Sequence, residues 1–332
     1  MSSSGSGMTA ADDFLLRRKQ TTDERFRGVQ EALRFVEHLL GDFATVYVTG
    51  SYGRGEASEH SDLDLFILTD TDDERKPRLK PLNTIRLQAA LIDVVEREEL
   101  EPFSDEGVYL TPHSITDMIG KLGGRDDDYD NLFTARMLLL LESRPLLGSR
   151  MYDVAIDRVL TEYWRDYPQN ASQFLPIYLT NDLIRYWKVV TLNYEANTRN
   201  APNRNKRRLN NYKLKYSRLL TPYSALVYLC HLVQNAPSIS QEAAREMTRL
   251  TPTERLQAVR NAETSTLVDR LLELYVEFLE SINAPKSELL ARFDDPGYRG
   301  VRRASGQNFG DLMFELLQQI GSKSRLFRYL VV

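Results

Sequence analysis

The sequence predicts an α+β protein, a small α/β domain followed by an all-helical domain. Three observations lead there. The stretches read as strands all fall in the first 145 residues, helical periodicity dominates after Pro145, and Pro202, Pro222, Pro237, Pro252 and Pro285 fall at or near the ends of the helical stretches. The composition, 42% hydrophobic and 27% charged over 332 residues, is that of a globular chain able to bury a sizeable core. The longest purely apolar run is Ala225–Cys230, too short for a membrane-spanning helix. One cysteine, Cys230, excludes an internal disulfide framework and a cysteine-built zinc site, and four histidines argue against a histidine-rich metal cluster. No charged-then-apolar leader opens the chain, so the cytoplasm is the expected location.

In chain order, residues 1–10 read as a linker rich in serine and glycine. Thr21 and Glu24 fit a capping box, with Phe26, Val29, Leu33, Val36 and Leu40 at helical spacing behind it and Gly41 as the stop. Ala44–Thr49 reads as a strand, Gly50–Gly55 as a glycine-rich turn, and Leu63–Leu68 as a second strand ending in the acidic loop Asp70–Glu74. Leu82, Ile85, Ala89, Ile92 and Val95 predict a helix over 82–97, Val108–Thr111 a short strand, and Asn131–Leu141 a buried helix. Downstream, helices are predicted over 150–166, 176–195, 209–233, 240–248, 252–261, 264–282 and 307–320. The expected division is 11–145 for the α/β domain, 146–321 for the helical domain and 322–332 for a tail.

The charges are segregated. No acidic residue occurs from Ala196 to Gln241, where Arg204, Lys206, Arg207, Arg208, Lys213, Lys215 and Arg218 cluster, whereas Glu56, Glu59, Asp62, Asp64, Asp70, Asp72 and Asp73 crowd residues 56–73. Such separation suits a chain that holds a cation at one place and polyphosphate at another, and equally suits a solvated helix face. Asp62 and Asp64, separated by one residue on a strand, would project to the same face. Like charges held that close destabilise the fold unless a cation is shared between them. Oxygen-only ligands suit two Mg²⁺ or Mn²⁺ ions, which also bind substrate phosphates. The Gly50-Ser51 turn can bring backbone N–H groups and a hydroxyl against a phosphate, and Arg54 adds charge where a triphosphate would lie. A two-metal site of this kind activates an attacking hydroxyl and stabilises leaving pyrophosphate.

The string Gly-Ser-Tyr-Gly-Arg-Gly-Glu…His-Ser-Asp-Leu-Asp-Leu resembles the signature of the DNA polymerase beta-type nucleotidyltransferase superfamily, and looks most like the branch of the bacterial signal-protein uridylyltransferase. Phe133–Arg136, Leu141–Ser143, Asn181-Asp182…Arg185–Trp187 and Leu214–Arg218 are also similar to that branch. The resemblance implies a transferase of the nucleotidyl-transfer class (EC 2.7.7 type), moving a nucleoside monophosphate from an NTP or dNTP to a hydroxyl. It implies triphosphate contacts from Gly50 and Ser51, and metal ligation by Asp62 and Asp64. A third carboxylate, ligand and base on the acceptor, is implied as well, with Asp105 preferred over Asp93. Lys213, Ser217 and Leu220 share one helical face and Lys215 and Arg218 another; either face could reach the triphosphate. Arg207 and Arg208 could track single-stranded nucleic acid with Tyr212 and Tyr216 stacking on bases, although tyrosines at this spacing equally suit core packing. Tyr329, flanked by Arg328, resembles the acceptor of protein-primed polymerisation associated with Hailong-type anti-phage nucleotidyltransferases; a tail docked by its apolar residues is the alternative. The acceptor choices are a growing oligonucleotide, a partner protein encoded nearby or a small molecule. A regulator or antitoxin that binds nucleotide with little turnover is the reading from a different class.

Overall fold

In the computed structural model, residues 8–103, 110–198 and 204–331 are described. Helix α1 (Ala10–Leu33) leads through a 3-10 turn, Arg34–Leu39, to strand β1 (Ala44–Val48). A one-turn helix, α2 (Gly50–Gly53), precedes β2 (Leu65–Thr69), and α3 (Pro81–Arg97) follows. Then come β3 (His113–Ser114), α4 (Ile115–Gly120), α5 (Leu132–Leu141), β4 (Arg144–Leu147) and α6 (Ser149–Tyr163). The remainder is helical: α7 (Tyr167–Asn170), α8 (Ile177–Thr198), α9 (Arg204–Lys213), a π segment (Leu214–Arg218), α10 (Leu219–Asn235), α11 (Gln241–Arg249), α12 (Pro252–Ala258), α13 (Ser265–Ser281), α14 (Lys286–Arg292), α15 (Pro296–Gly321), and the short tail helix α16 (Arg328–Val331). This is the α+β architecture that the sequence predicts.

The four strands are ordered β3-β2-β1-β4. β1 pairs antiparallel with β2, Val46 opposite Ile67, and antiparallel with β4; β2 and β3 run parallel. Alternation sorts the side chains to the two faces. Ala44, Val46, Val48, Leu65 and Ile67 join one core with Phe26, Val29, Leu33 and α3. Tyr47, Phe66 and Leu68 point the other way, into a second core that continues through α5, α6, α8, α10, α13 and α15. The sheet and the helical region therefore share one apolar interior, and β4 runs across the expected boundary at residue 145. α1 also spans both parts: its N-terminal Ala11 and Leu15 lie in the helical core, and its C-terminal half lies under the sheet.

Three expectations need adjustment. α1 starts at a capping box of Thr9 and Asp12, not at Thr21 and Glu24; Thr21 lies inside the helix and its hydroxyl donates back to the Arg17 carbonyl. The strand expected at Val108–Thr111 falls partly outside the described residues, and the third pairing in the sheet is made by His113 and Ser114. α15 begins at an Asp295 N-cap and Pro296, well before residue 307.

Candidate active site

The site is assembled where the sheet meets the α9–α10 rod. β1 ends at Val48, and Thr49 donates its N–H to the Asp64 carbonyl at 2.8 Å, which fixes the turn against the approach to β2. Gly50 adopts φ +62°, and a Cβ there would lie 2.6 Å from Asp64 Oδ2. Both the left-handed backbone and the close carboxylate require glycine. At Gly53 an added Cβ would fall 2.0 Å from the Glu142 carbonyl oxygen, so the turn packs backbone to backbone on the end of α5.

A buried carboxylate pair holds this turn from beneath. Glu142, just beyond α5, accepts from the Gly50 N–H at 3.3 Å, from Arg54 at 3.0 Å and from the Thr221 hydroxyl of α10. Arg54 is also paired with Glu56, whose second oxygen accepts from Tyr275 on α13 at 2.7 Å. Arg54 is thus engaged by two carboxylates as a brace of the turn; the guanidinium pKa is raised because those two partners outweigh burial. Glu142, Thr221 and Tyr275 have no local sequence signal, since each acts through a contact remote in the chain.

Asp62 and Asp64 precede β2 and face one space. Asp62 is half-buried, and Asp64 keeps an exposed surface although protein surrounds it closely. Neither forms an ion pair with another described residue. Desolvation first and the Asp62 charge second push the Asp64 carboxyl up to about 6, against the pull of Arg54 and Lys213. Lys213 belongs to the same group: burial lowers its pKa, the Asp62 charge opposes that, and Arg218 adds to it. Arg218, on the last turn of the π segment, is exposed.

The π segment decides which cations meet the carboxylates. An α-helix would separate Lys213 from Arg218 by a large rotation, whereas the wider i→i+5 winding stacks residues five apart. Arg218 thereby comes within electrostatic range of Lys213. Lys215 turns away: its side chain packs at Gly306 of α15, beside Arg303. Ser217 is buried, and its hydroxyl donates to the Lys213 carbonyl at 3.3 Å. Of the basic-helix candidates, the structure sets Lys213 beside the carboxylates with Arg218 near Lys213, places Lys215 elsewhere and ties Ser217 into the helix backbone.

Asp105 lies outside the described residues. Asp93 is exposed on α3. A carboxylate not singled out from sequence, Glu101, pairs in parallel register with Asp62, so the two side chains share a face of the ladder. Among the described residues no three His, Cys, Asp or Glu side chains converge as a metal-ligand cluster. The juxtaposed carboxylates nonetheless fit a divalent cation, which would relieve the repulsion that raises Asp64.

Tyr212 and Tyr216 are core residues: Tyr216 stacks on Phe278 at 4.6 Å and Tyr212 bonds to the Ser281 hydroxyl at 3.0 Å. That packing removes them as base-stacking platforms. Trp164 is buried, and Trp187 packs edge-on against Tyr223. The tail docks by buried Leu326, with α16 against α8, and Gln234 near the end of α10 donates to the Ile320 carbonyl. That anchor lies at the opposite end of α10 from the π segment. Tyr329 is 38% exposed with Arg328 over its ring at 5.8 Å, and the structure does not bring it to the carboxylates. His60 is a loop residue beside Glu59.

Residues 29–115 match the family model described as a nucleotidyltransferase domain. The match runs from α1 through β1, the Gly50 turn, both aspartates, β2 and α3 to the end of β3. No curated protein and no solved structure matches the chain. The match covers about a quarter of the chain, and it supports the general chemistry of nucleotidyl transfer for that segment. Among the described residues, no helix is long and apolar enough to cross a membrane.

Proposed function

We propose that the chain transfers a nucleoside monophosphate from an NTP or dNTP to a hydroxyl and releases pyrophosphate. The observation that carries this is the pair Asp62 and Asp64, set beside the Gly50 turn and faced by Lys213. Asp62 and Asp64 would hold Mg²⁺ or Mn²⁺, which when bound supplies charge stabilisation and lowers the pKa of the attacking hydroxyl. Ser51 would contact the phosphates at the turn that Gly50 keeps open. Lys213 and Arg218 would offset the charge of the triphosphate from the helical side. Arg54, Glu56 and Glu142 hold the turn in place, so they position the site and do not meet substrate.

Template-independent extension of an oligonucleotide is the product class favoured by the acid-poor window, and a tyrosine-primed version of it, as in the anti-phage enzymes that the Tyr329 tail resembles, would be a role in defence. Since the tail is docked at the far end of α10, priming on Tyr329 would use the tail of another molecule. A nucleotide-binding regulator with little turnover is the second reading, since the sequence places no third carboxylate as firmly as Asp62 and Asp64.

The test is incubation of the protein with Mg²⁺ or Mn²⁺ and each labelled NTP and dNTP, read by denaturing gel and intact mass. A ladder, or a mass increment on protein, that disappears in the Asp62→Ala/Asp64→Ala variant supports transfer; the increment identifies the nucleotide and peptide mapping locates any labelled tyrosine. Nucleotide binding without product, with cell extract added as a source of acceptor, supports the regulator.

A further inference from the structure

Helix α3 carries two apolar faces, and the chain uses one. Leu87, Ala90, Leu91, Val94 and Val95 are buried in the core under the sheet. Leu82, Ile85, Ala89 and Ile92 are exposed, Leu82 by 70%, Ile85 by 60% and Ile92 by 43%. Their spacing of three, four and three residues is that of the seam between two paired helices. Phe35, exposed on the 3-10 turn packed beside α3, adds apolar surface nearby.

The charges on this helix are ordered the wrong way for an isolated one. Lys80 and Arg86 occupy its start, while Asp93, Glu96, Glu98 and Glu99 crowd its end, with Arg97 the exception. The helix macrodipole favours the opposite order. Arg86 and Asp93, seven residues apart, flank the same side of the seam, and neither forms an ion pair with a described residue.

We infer that α3 is a self-association face on which a second copy of this chain docks, its α3 antiparallel across a two-fold axis. Leu82 then lies opposite Ile92 of the second copy and Ile85 opposite its Ala89. Helical side chains lean toward the N-terminus of their own helix. In this register Arg86 leans toward Asp93 of the second copy, and the axis repeats the pair. The basic start of each helix meets the acidic end of the other, and the two dipoles run head to tail. The interface is self-complementary, as a two-fold dimer requires. Three turns of helix bury little area, which places the dimer in the weak, reversible class.

Sedimentation velocity of the full chain over rising concentration tests this. The expected result is a monomer–dimer equilibrium that Ile85→Glu abolishes without changing the thermal midpoint, since Ile85 supports no core. Arg86→Asp and Asp93→Arg should each weaken self-association by about tenfold. An equimolar mixture of those two variants should associate as well as the parent, because the mixed dimer restores both pairs. Ile85→Cys/Ala89→Cys should cross-link between copies on oxidation, the native Cys230 being buried. A chain that stays monomeric at high micromolar concentration overturns the inference, and would leave the seam to a different protein. So would a dimer indifferent to both Ile85→Glu and the charge exchange.

Discussion

Of the clusters of basic side chains and carboxylates among the described residues, the one around Arg136 and the one at Asp62 and Asp64 are built on opposite terms. Around Arg136 every charge has a partner: its guanidinium donates to both oxygens of Asp127 at 2.7 and 2.9 Å, to Asp182 at 3.3 Å, to the Tyr163 hydroxyl and to the Met118 carbonyl. Arg185 completes it, bonded to Asp127 and lying over Phe133 at 3.6 Å. The cluster is buried and bolts α5 to α6 and α8. At the sheet edge, Asp62 and Asp64 face each other with no ion pair among the described residues, and Lys213 approaches at electrostatic range only. A closed network fixes the fold, whereas an open one leaves its charges for something that binds.

That contrast can be broken at several points. The largest effect is expected from Asp62→Ala/Asp64→Ala, which should reduce nucleotide transfer by about a thousandfold or more, the loss of several kcal/mol of charge stabilisation. Denaturant unfolding of the same variant should show no loss of stability, because a repulsive pair has been removed. Arg136→Met should do the reverse. Leaving Asp127 and Asp182 uncompensated should cost about 3–5 kcal/mol in the same unfolding measurement, while the fraction still folded keeps its transfer rate. Gly50→Ala joins both regimes: the left-handed backbone should cost about 1–2 kcal/mol, and displacement of Asp64 should remove turnover in the labelled-nucleotide assay.

The smallest effect is the sharpest in sign. Asp64 is raised from 3.8 to about 6, so the native state holds its proton where the unfolded chain has lost it. Its contribution to stability is therefore most favourable below pH 4 and declines until pH 6. Asp127 is lowered: burial alone would raise it, but the hydrogen bonds from Arg136 and Arg185 win. Its contribution is complete above the ordinary carboxylate range and is lost as pH falls through its depressed value. Thermal midpoints without metal should accordingly show an Asp64-dependent slope between pH 4 and 6 that Asp64→Asn removes. The upward shift produced by Mg²⁺ should grow over the same interval.

The sequence made the chemistry legible where it is local. Gly50, Ser51, Asp62 and Asp64 lie within fifteen residues, and a glycine turn before paired carboxylates has few other uses. Most helices were equally readable from apolar spacing and proline. Long-range polar contacts were not: Glu142, Thr221 and Tyr275 brace the turn from three different helices or their ends. Nor could ideal periodicity reveal the π segment, which moves Arg218 toward Lys213 and sends Lys215 to α15. The start of α1 shows the limit of a local pattern, since Thr9-x-x-Asp12 and Thr21-x-x-Glu24 are both capping boxes on paper, and only the first is met by Arg260 from α12's end. On α3 the spacing named a helix but not which of its two apolar faces turns inward.

The continuous interior beneath the sheet has a consequence for modularity. Tyr47, Phe66 and Leu68 find their neighbours in α4, α5 and α6, so the segment recognisable as a nucleotidyltransferase domain cannot be lifted out with its packing intact. A graft of residues 29–115 onto another helical scaffold would carry a raw apolar sheet face and leave behind Glu142, the residue on which the Gly50 turn is seated.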